Sequence, residues 1–135
     1  MKMPPVIPES LFAPCGMNCM ICYMHLKDKK PCSGCLGDEH HKPERCKACN
    51  IKNCAKEKGF IYCHECSVFP CKRIINLEKS YKKRYNTSLI ENSKIVKEEG
   101  ITAFQKYEQK KWSCNLCSGV ISIHDKKCSN CHDIK

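Results

Sequence analysis

Fifteen of the 135 residues are cysteines, and their spacing predicts metal binding. Twelve of them form six C-x2-C pairs, a turn that presents two sulfurs to one ion. The odd count and this pairing favour metal ligands over disulfides, and the expected compartment is a reducing cytoplasm. All fifteen are candidate ligands: Cys15, Cys19, Cys22, Cys32, Cys35, Cys46, Cys49, Cys54, Cys63, Cys66, Cys71, Cys114, Cys117, Cys128 and Cys131.

The four cysteines nearest the C-terminal end give the clearest pattern. Two C-x2-C turns, Cys114/Cys117 and Cys128/Cys131, are separated by ten residues, which matches a structural zinc ribbon. Two such turns supply the four ligands of a closed tetrahedral site. A redox-active pair is the alternative, but it would need a βαβ pattern that the sequence lacks.

The eleven remaining cysteines can be grouped in more than one way. Pairing neighbouring turns gives two sets of four, Cys19/Cys22 with Cys32/Cys35 and Cys46/Cys49 with Cys63/Cys66. Cys15, Cys54 and Cys71 then remain. His25 or His64 could complete their site, so the sequence predicts three or four Zn²⁺ ions. Pairings that cross between turns fit the same count.

Iron–sulfur or thiol redox chemistry is the main rival to zinc. Cys15, Cys19 and Cys22 have the C-x3-C-x2-C spacing of radical S-adenosylmethionine enzymes, but a chain of 135 residues with this pattern cannot form their barrel. The sequence also lacks a P-loop, a dinucleotide-binding glycine motif and a GxSxG motif. We therefore identify no catalytic residue, and the sequence favours a non-enzymatic role.

The formal net charge of +10 points less strongly to nucleic acid than it first suggests. Fifteen thiolates on four Zn²⁺ ions would reduce it to about +3. A local basic patch remains at residues 72–84, where Lys72, Lys79 and Lys83 lie on one helical face. These lysines are the candidate nucleic-acid contacts. A solvated outer face is the alternative interpretation.

The cysteines divide the chain into segments that predict a small, metal-stabilised α+β fold. Zinc knuckles or short hairpins at both ends would enclose two or three helices, the first with an apolar face at Ile74, Leu77 and Tyr81. No apolar run between the cysteines is long enough to form a core alone, so the metals would hold the fold together. The segments are an irregular arm at 1–14, a cysteine-rich block at 15–71, a helical segment at 72–111 and a zinc-ribbon-like knuckle pair at 112–135, expected to form one compact unit.

Several of these motifs together resemble the domain of unknown function 3795, a family of small cysteine-rich proteins of bacteria and archaea. The similar stretches are PCGMNCMIC at 14–22, CSGC at 32–35, IKNCA at 51–55, YCHEC at 62–66, FPC at 69–71, GI at 100–101 and WSCNLC at 112–117. The resemblance implies metal binding and no known reaction.

The sequence therefore predicts a zinc-binding interaction module with structural metals and a protein partner of unknown identity. One alternative is a nucleic-acid-binding zinc protein that uses the basic helix at 72–84, and another is an iron–sulfur or thiol redox protein. No apolar segment has membrane-spanning length, so no membrane partner is expected.

Overall fold

The computed structural model describes residues 1–27, 29–36, 42 and 49–134, and these residues form an α+β fold. The described residues contain five α-helices: α1 (Tyr23–Leu26), α2 (Asn50–Glu57), α3 (Lys72–Tyr85), α4 (Leu89–Glu99) and α5 (Ile101–Lys111). The two strands are β1 (Ile121–Ser122) and β2 (Lys127–Cys128), paired antiparallel. The predicted fold class is confirmed, and α3, α4 and α5 are the helices between the two cysteine-rich regions.

Short 3₁₀ turns carry two of the cysteines, Cys19 and Cys63. The described residues contain three such turns, Glu9–Leu11, Cys19–Ile21 and Cys63–Glu65. The side chain of Asn18 accepts a hydrogen bond from the backbone N–H of Met20 at 3.1 Å and so caps the second turn. This cap holds the backbone beside Cys19 in a defined conformation.

The three consecutive helices begin and end where local signals predict. The Ser88 hydroxyl oxygen accepts a hydrogen bond from the N–H of Glu91 at 3.0 Å, which starts α4. Gly100, at a φ of 94°, separates α4 from α5. On α3, Ile74 is fully buried and Leu77 packs against the core, as the apolar periodicity predicts.

A buried carboxylate joins α3 to the start of α4. The side chain of Glu78 accepts hydrogen bonds of 2.8 Å from the Ser88 hydroxyl and 2.8 Å from the backbone N–H of Leu89. Two donors at the N-terminus of a helix suit a negative charge. Glu78 therefore fixes the angle between the two helices.

The N-terminal arm, residues 1–14, pairs with the C-terminal knuckle region. The backbone N–H of Val120 donates to the Met1 carbonyl at 2.8 Å, and the N–H of Met3 donates to the Ser118 carbonyl at 2.9 Å. The arm thus adds an extended segment beside the hairpin formed by β1 and β2.

An apolar core lies between the arm, the first cysteine turns, α4 and the hairpin. Its buried members besides Cys19 are Ile7, Leu11, Ala13, Met17, Met20, Ile21, Leu26, Leu89, Val120 and Ile123. A second cluster stacks Phe12 edge-on against Phe104 at 5.2 Å and Tyr62 at 5.5 Å. The structure differs here from the expectation that metals replace a core, because short apolar stretches from distant segments combine into one. Metals would add to this core.

No helix among the described residues has both the length and the apolar character needed to cross a membrane.

Candidate metal centres

The four C-terminal cysteines converge as a single ion requires. All four sulfurs of Cys114, Cys117, Cys128 and Cys131, here called the C-terminal set, lie within 4.8 Å of one another. The Cys114–Cys131 pair is separated by 3.8 Å and the Cys117–Cys128 pair by 3.5 Å. A tetrahedral zinc ion with bonds of about 2.3 Å places its sulfurs about 3.8 Å apart. A four-iron cluster would separate them further, because each thiolate binds a different iron.

The local chain explains how these sulfurs meet. Cys128 lies on β2, and the N–H of Cys114 donates to the Gly119 carbonyl at 2.8 Å, which closes the first knuckle. Gly119 packs directly against the sulfurs, since a Cβ there would lie 2.7 Å from Cys128 Sγ and 3.2 Å from Cys117 Sγ. The sequence offers one signal for Gly119, which is its place two residues after a knuckle cysteine.

Hydrogen bonds favour the thiolate form, which metal binding requires, at Cys114 and Cys117. At Cys131 the backbone of Asp133 lowers the pKa, but burial and hydrogen bonds with the other three thiols together raise it to about 11. The Asn130 side chain, as the largest cause, lowers the pKa of Cys117 to about 6. The backbone N–H of Leu116 lowers the pKa of Cys114. The N–H of Asn130 also donates to Cys128 Sγ at 3.4 Å. The last two bonds come from the residue two positions after the cysteine.

The same type of hydrogen bond occurs in the first cysteine block. The N–H of Gly34 donates to Cys32 Sγ at 3.4 Å, again from two positions after the cysteine. The N–H of Cys35 donates to Cys19 Sγ at 3.4 Å. A hydrogen bond from the Cys19 thiol, as the largest cause, lowers the pKa of Cys35 to about 7. The structure therefore brings Cys19 to the Cys32/Cys35 turn.

Cys22 belongs to the same neighbourhood, because Cys35 and Cys32 are the thiols that raise its pKa electrostatically. Burial is the largest cause, and together these effects raise the pKa of Cys22 to about 11. Cys15 and Cys49 line a cavity of about 20 Å³ together with Cys35. Burial raises the pKa of Cys15 well above its usual range. Cys15 and Cys49 thus lie beside the group formed by Cys19, Cys22, Cys32 and Cys35.

Four other described N-terminal cysteines share a second cavity near the first. Cys54, Cys63, Cys66 and Cys71 line one cavity of about 30 Å³. Burial, followed by the thiols of Cys71, Cys54, Cys49 and Cys66, raises the pKa of Cys63 to about 12, so Cys49 lies close enough to act on this group although it does not line the cavity. The predicted partner turn of Cys63/Cys66 contained Cys46, which lies outside the described residues.

A metal site needs at least three ligand atoms from cysteine, histidine or carboxylate side chains close together. Among the described residues, the C-terminal set alone brings such atoms within 4.8 Å of one another. Neither candidate histidine belongs to such a group. His25 Nδ1 lies 2.6 Å from the carbonyl oxygen of Cys32. The ring of His64 stacks on Tyr62 at 5.5 Å, and its buried Nε2 has no hydrogen-bond partner.

The candidate nucleic-acid contacts lie on the outer side of α3. Lys72, Lys79 and Lys83 are all exposed. The aromatic residues of the same helix point elsewhere, because Tyr85 packs against His124 at 4.8 Å and against Tyr81 at 5.4 Å. The lysines therefore lack an adjacent exposed tyrosine for stacking on a base.

Comparison with known families agrees with the resemblance seen in the motifs. Residues 11–76 match the family described as protein of unknown function (DUF3795). The match covers 66 of the 135 residues. The DUF3795 segment holds all eleven N-terminal cysteines, whereas the C-terminal set lies beyond it. No curated protein and no solved structure matches the chain.

Proposed function

We propose that this chain is a zinc-binding protein whose ions are structural. The observation that carries the proposal is the C-terminal set, whose sulfur separations of 3.5 and 3.8 Å fit one tetrahedral ion. A tetrathiolate site suits zinc or iron. All four positions are filled by cysteine, so no position stays open for water or substrate, as a catalytic zinc would need. A reducing compartment, for which we propose the cytoplasm, would keep the thiols available.

Metal analysis after anaerobic purification tests this proposal. We expect a colourless protein that contains zinc, with three or four ions per chain. Cys114→Ser/Cys128→Ser should release one equivalent, whereas the exposed Asn115→Ala in the same knuckle should release none. Iron with visible absorbance, or unchanged zinc in the double variant, would contradict the proposal.

The proposed biological role is to contact another protein. Leu116 lies between two cysteines of the C-terminal set and leaves 72% of its surface exposed. A single exposed leucine is common on protein surfaces, so the support for this role is the position of Leu116 within the knuckle. Cross-linking in the source cells should enrich one protein with the wild type and lose it with Leu116→Ser, at equal zinc content. Equal enrichment with both would exclude this surface.

Nucleic-acid binding by α3 is the second candidate, supported by the exposure of Lys72, Lys79 and Lys83. We expect no specific affinity, because Tyr81 and Tyr85 pack against other residues of the protein. Titration of RNA and DNA near physiological salt measures this directly. Sub-micromolar binding that disappears when all three lysines are neutralised would make this the preferred function.

A further inference from the structure

We propose that Cys54, Cys63, Cys66 and Cys71, here called the second set, form a separate tetrathiolate site for one zinc ion. The proposal rests on the zinc-binding function proposed above. This grouping differs from the pairing of neighbouring C-x2-C turns, in which Cys63 and Cys66 would share an ion with the Cys46/Cys49 pair. It also uses two cysteines that belong to no C-x2-C pair.

The first evidence is the cavity that these cysteines share. Its volume is about 30 Å³, which leaves room for a single ion, since one water-sized sphere occupies about 10–15 Å³. The other lining residues are Ala55, Lys58, Phe60, Val68 and Phe69. No carboxylate or imidazole is among these lining residues, so the four sulfurs are its soft metal ligands.

The backbone around the cavity folds back on itself. Cys54 lies in α2, and its carbonyl accepts from the N–H of Lys58 at 3.2 Å where that helix ends. Cys63 and Cys66 flank a 3₁₀ turn closed by a 3.0 Å hydrogen bond between them. Cys71 is the residue that precedes α3. One continuous stretch therefore delivers four ligands from α2, a 3₁₀ turn and the residue before α3.

A nearby cation fits the charge of such a site. Zinc bound by four thiolates carries a net charge of −2, which is costly to bury without compensation. Lys58 Nζ lies 3.7 Å from Cys66 Sγ and supplies a positive charge at the edge of the cavity. Groups that hydrogen-bond to ligand atoms tune metal affinity in this way.

The sulfur atoms of the second set lie farther apart than those of the C-terminal set. No three of its sulfurs meet the 4.8 Å convergence found in the C-terminal set, a comparison confined to the described residues. Binding of an ion would draw the sulfurs to separations of about 3.8 Å. Occupancy of the second set should therefore order the segment between α2 and α3, as expected when metal binding and folding are coupled.

Zinc stoichiometry of paired variants tests the grouping. Cys54→Ser/Cys71→Ser and Cys63→Ser/Cys66→Ser should each lose one ion per chain, and the quadruple variant should lose the same single ion. Cys49→Ser is the matched control and should leave that ion bound. Loss of two ions by the quadruple variant, or loss of the Cys63 ion in Cys49→Ser, would overturn the proposal.

The wild-type chain provides a second test that does not depend on folding of the variants. Stepwise chelation with pulses of N-ethylmaleimide, followed by mass spectrometry, should label the second set together and separately from the C-terminal set. Labelling of Cys49 in step with Cys63, or disulfides within the second set of the anaerobic protein, would overturn the proposal. Absence of zinc throughout the wild type would instead refute the general zinc function.

Discussion

Substitution of Gly119 by alanine should weaken metal binding by the C-terminal set without changing a ligand. The added methyl group would lie 2.7 Å from Cys128 Sγ, 2.6 Å from Asn130 Cβ and 3.2 Å from Cys117 Sγ. The first two distances are far inside van der Waals contact, so the knuckle must move. The perturbation is therefore steric and acts on the positions of two sulfurs.

Its magnitude follows from the tolerance of a tetrahedral site. Ligand distances in zinc sites vary by only about 0.2 Å, whereas relief of the contact with Cys128 requires a larger shift. Substitutions that disturb ligand orientation typically cost 10- to 100-fold in metal affinity. We expect a loss in this range, which corresponds to about 1.4 to 2.7 kcal/mol.

Competition with a chromophoric chelator at fixed pH measures the affinity of the C-terminal set. Leu116→Ala is the control, because this side chain is exposed on the same knuckle and should leave the affinity within twofold of the wild type. Wild-type affinity in a folded Gly119→Ala protein would show that the sulfurs are not held against residue 119, and would refute this reasoning.

Three further predictions concern stability. Glu78→Ala should lower the free energy of unfolding by about 2 to 3 kcal/mol, because the Ser88 hydroxyl and Leu89 N–H lose a buried charged acceptor. The exposed Glu91→Ala should cost less than about 0.5 kcal/mol in the same chemical denaturation experiment, and equal losses would contradict the role of Glu78. Burial raises the pKa of Glu108 above 4.5. The protonated side chain therefore stabilises the fold fully below pH 4.5, and this contribution is lost as the pH rises through the raised pKa. Relative to the wild type, Glu108→Gln should therefore gain stability as the pH rises above 4.5; a pH-independent difference in unfolding free energy would refute this. Strong chelation under reducing conditions should abolish the helical circular dichroism, because each structural zinc site supplies on the order of 10 kcal/mol. Native helicity in the metal-free protein would show that the apolar core is sufficient.

Local signals in the sequence predict the helices and the C-terminal set. A C-x2-C turn fixes two sulfurs within four residues, and the regular spacing of Ile74 and Leu77 defines the buried side of α3. The start of α4 follows from the short-range pair Ser88 and Glu91, whose hydrogen bond is present. In these cases the residues that determine the structure lie within one or two turns of each other.

Contacts between distant segments could not be predicted in the same way. A charged residue such as Glu78 is expected on the surface of α3. It is buried because its carboxylate oxygens accept hydrogen bonds from the Ser88 hydroxyl and the Leu89 N–H at the start of α4. Asn18 likewise contacts Glu108 at 3.5 Å across 90 positions of sequence. The proximity of Cys54 to Cys63 depends on the direction that the chain takes after α2 ends at Glu57. Sequence spacing alone would instead assign the nearest C-x2-C turn as the partner of Cys63 and Cys66.

The pairing of the arm with the knuckle region has a consequence for synthesis of the protein. Lys2 Nζ contacts the carbonyl of Cys117, which lies 115 positions later. At translation rates of about 5–20 residues per second, the arm emerges roughly 6 to 23 seconds before this partner. During that interval Ile7 and Leu11, buried in the finished core, lack their contacts with Val120 and Ile123. Scarcity of the proposed zinc would delay folding of the knuckle region after it has been synthesised, so the chain should depend on chaperones most strongly when the metal is scarce.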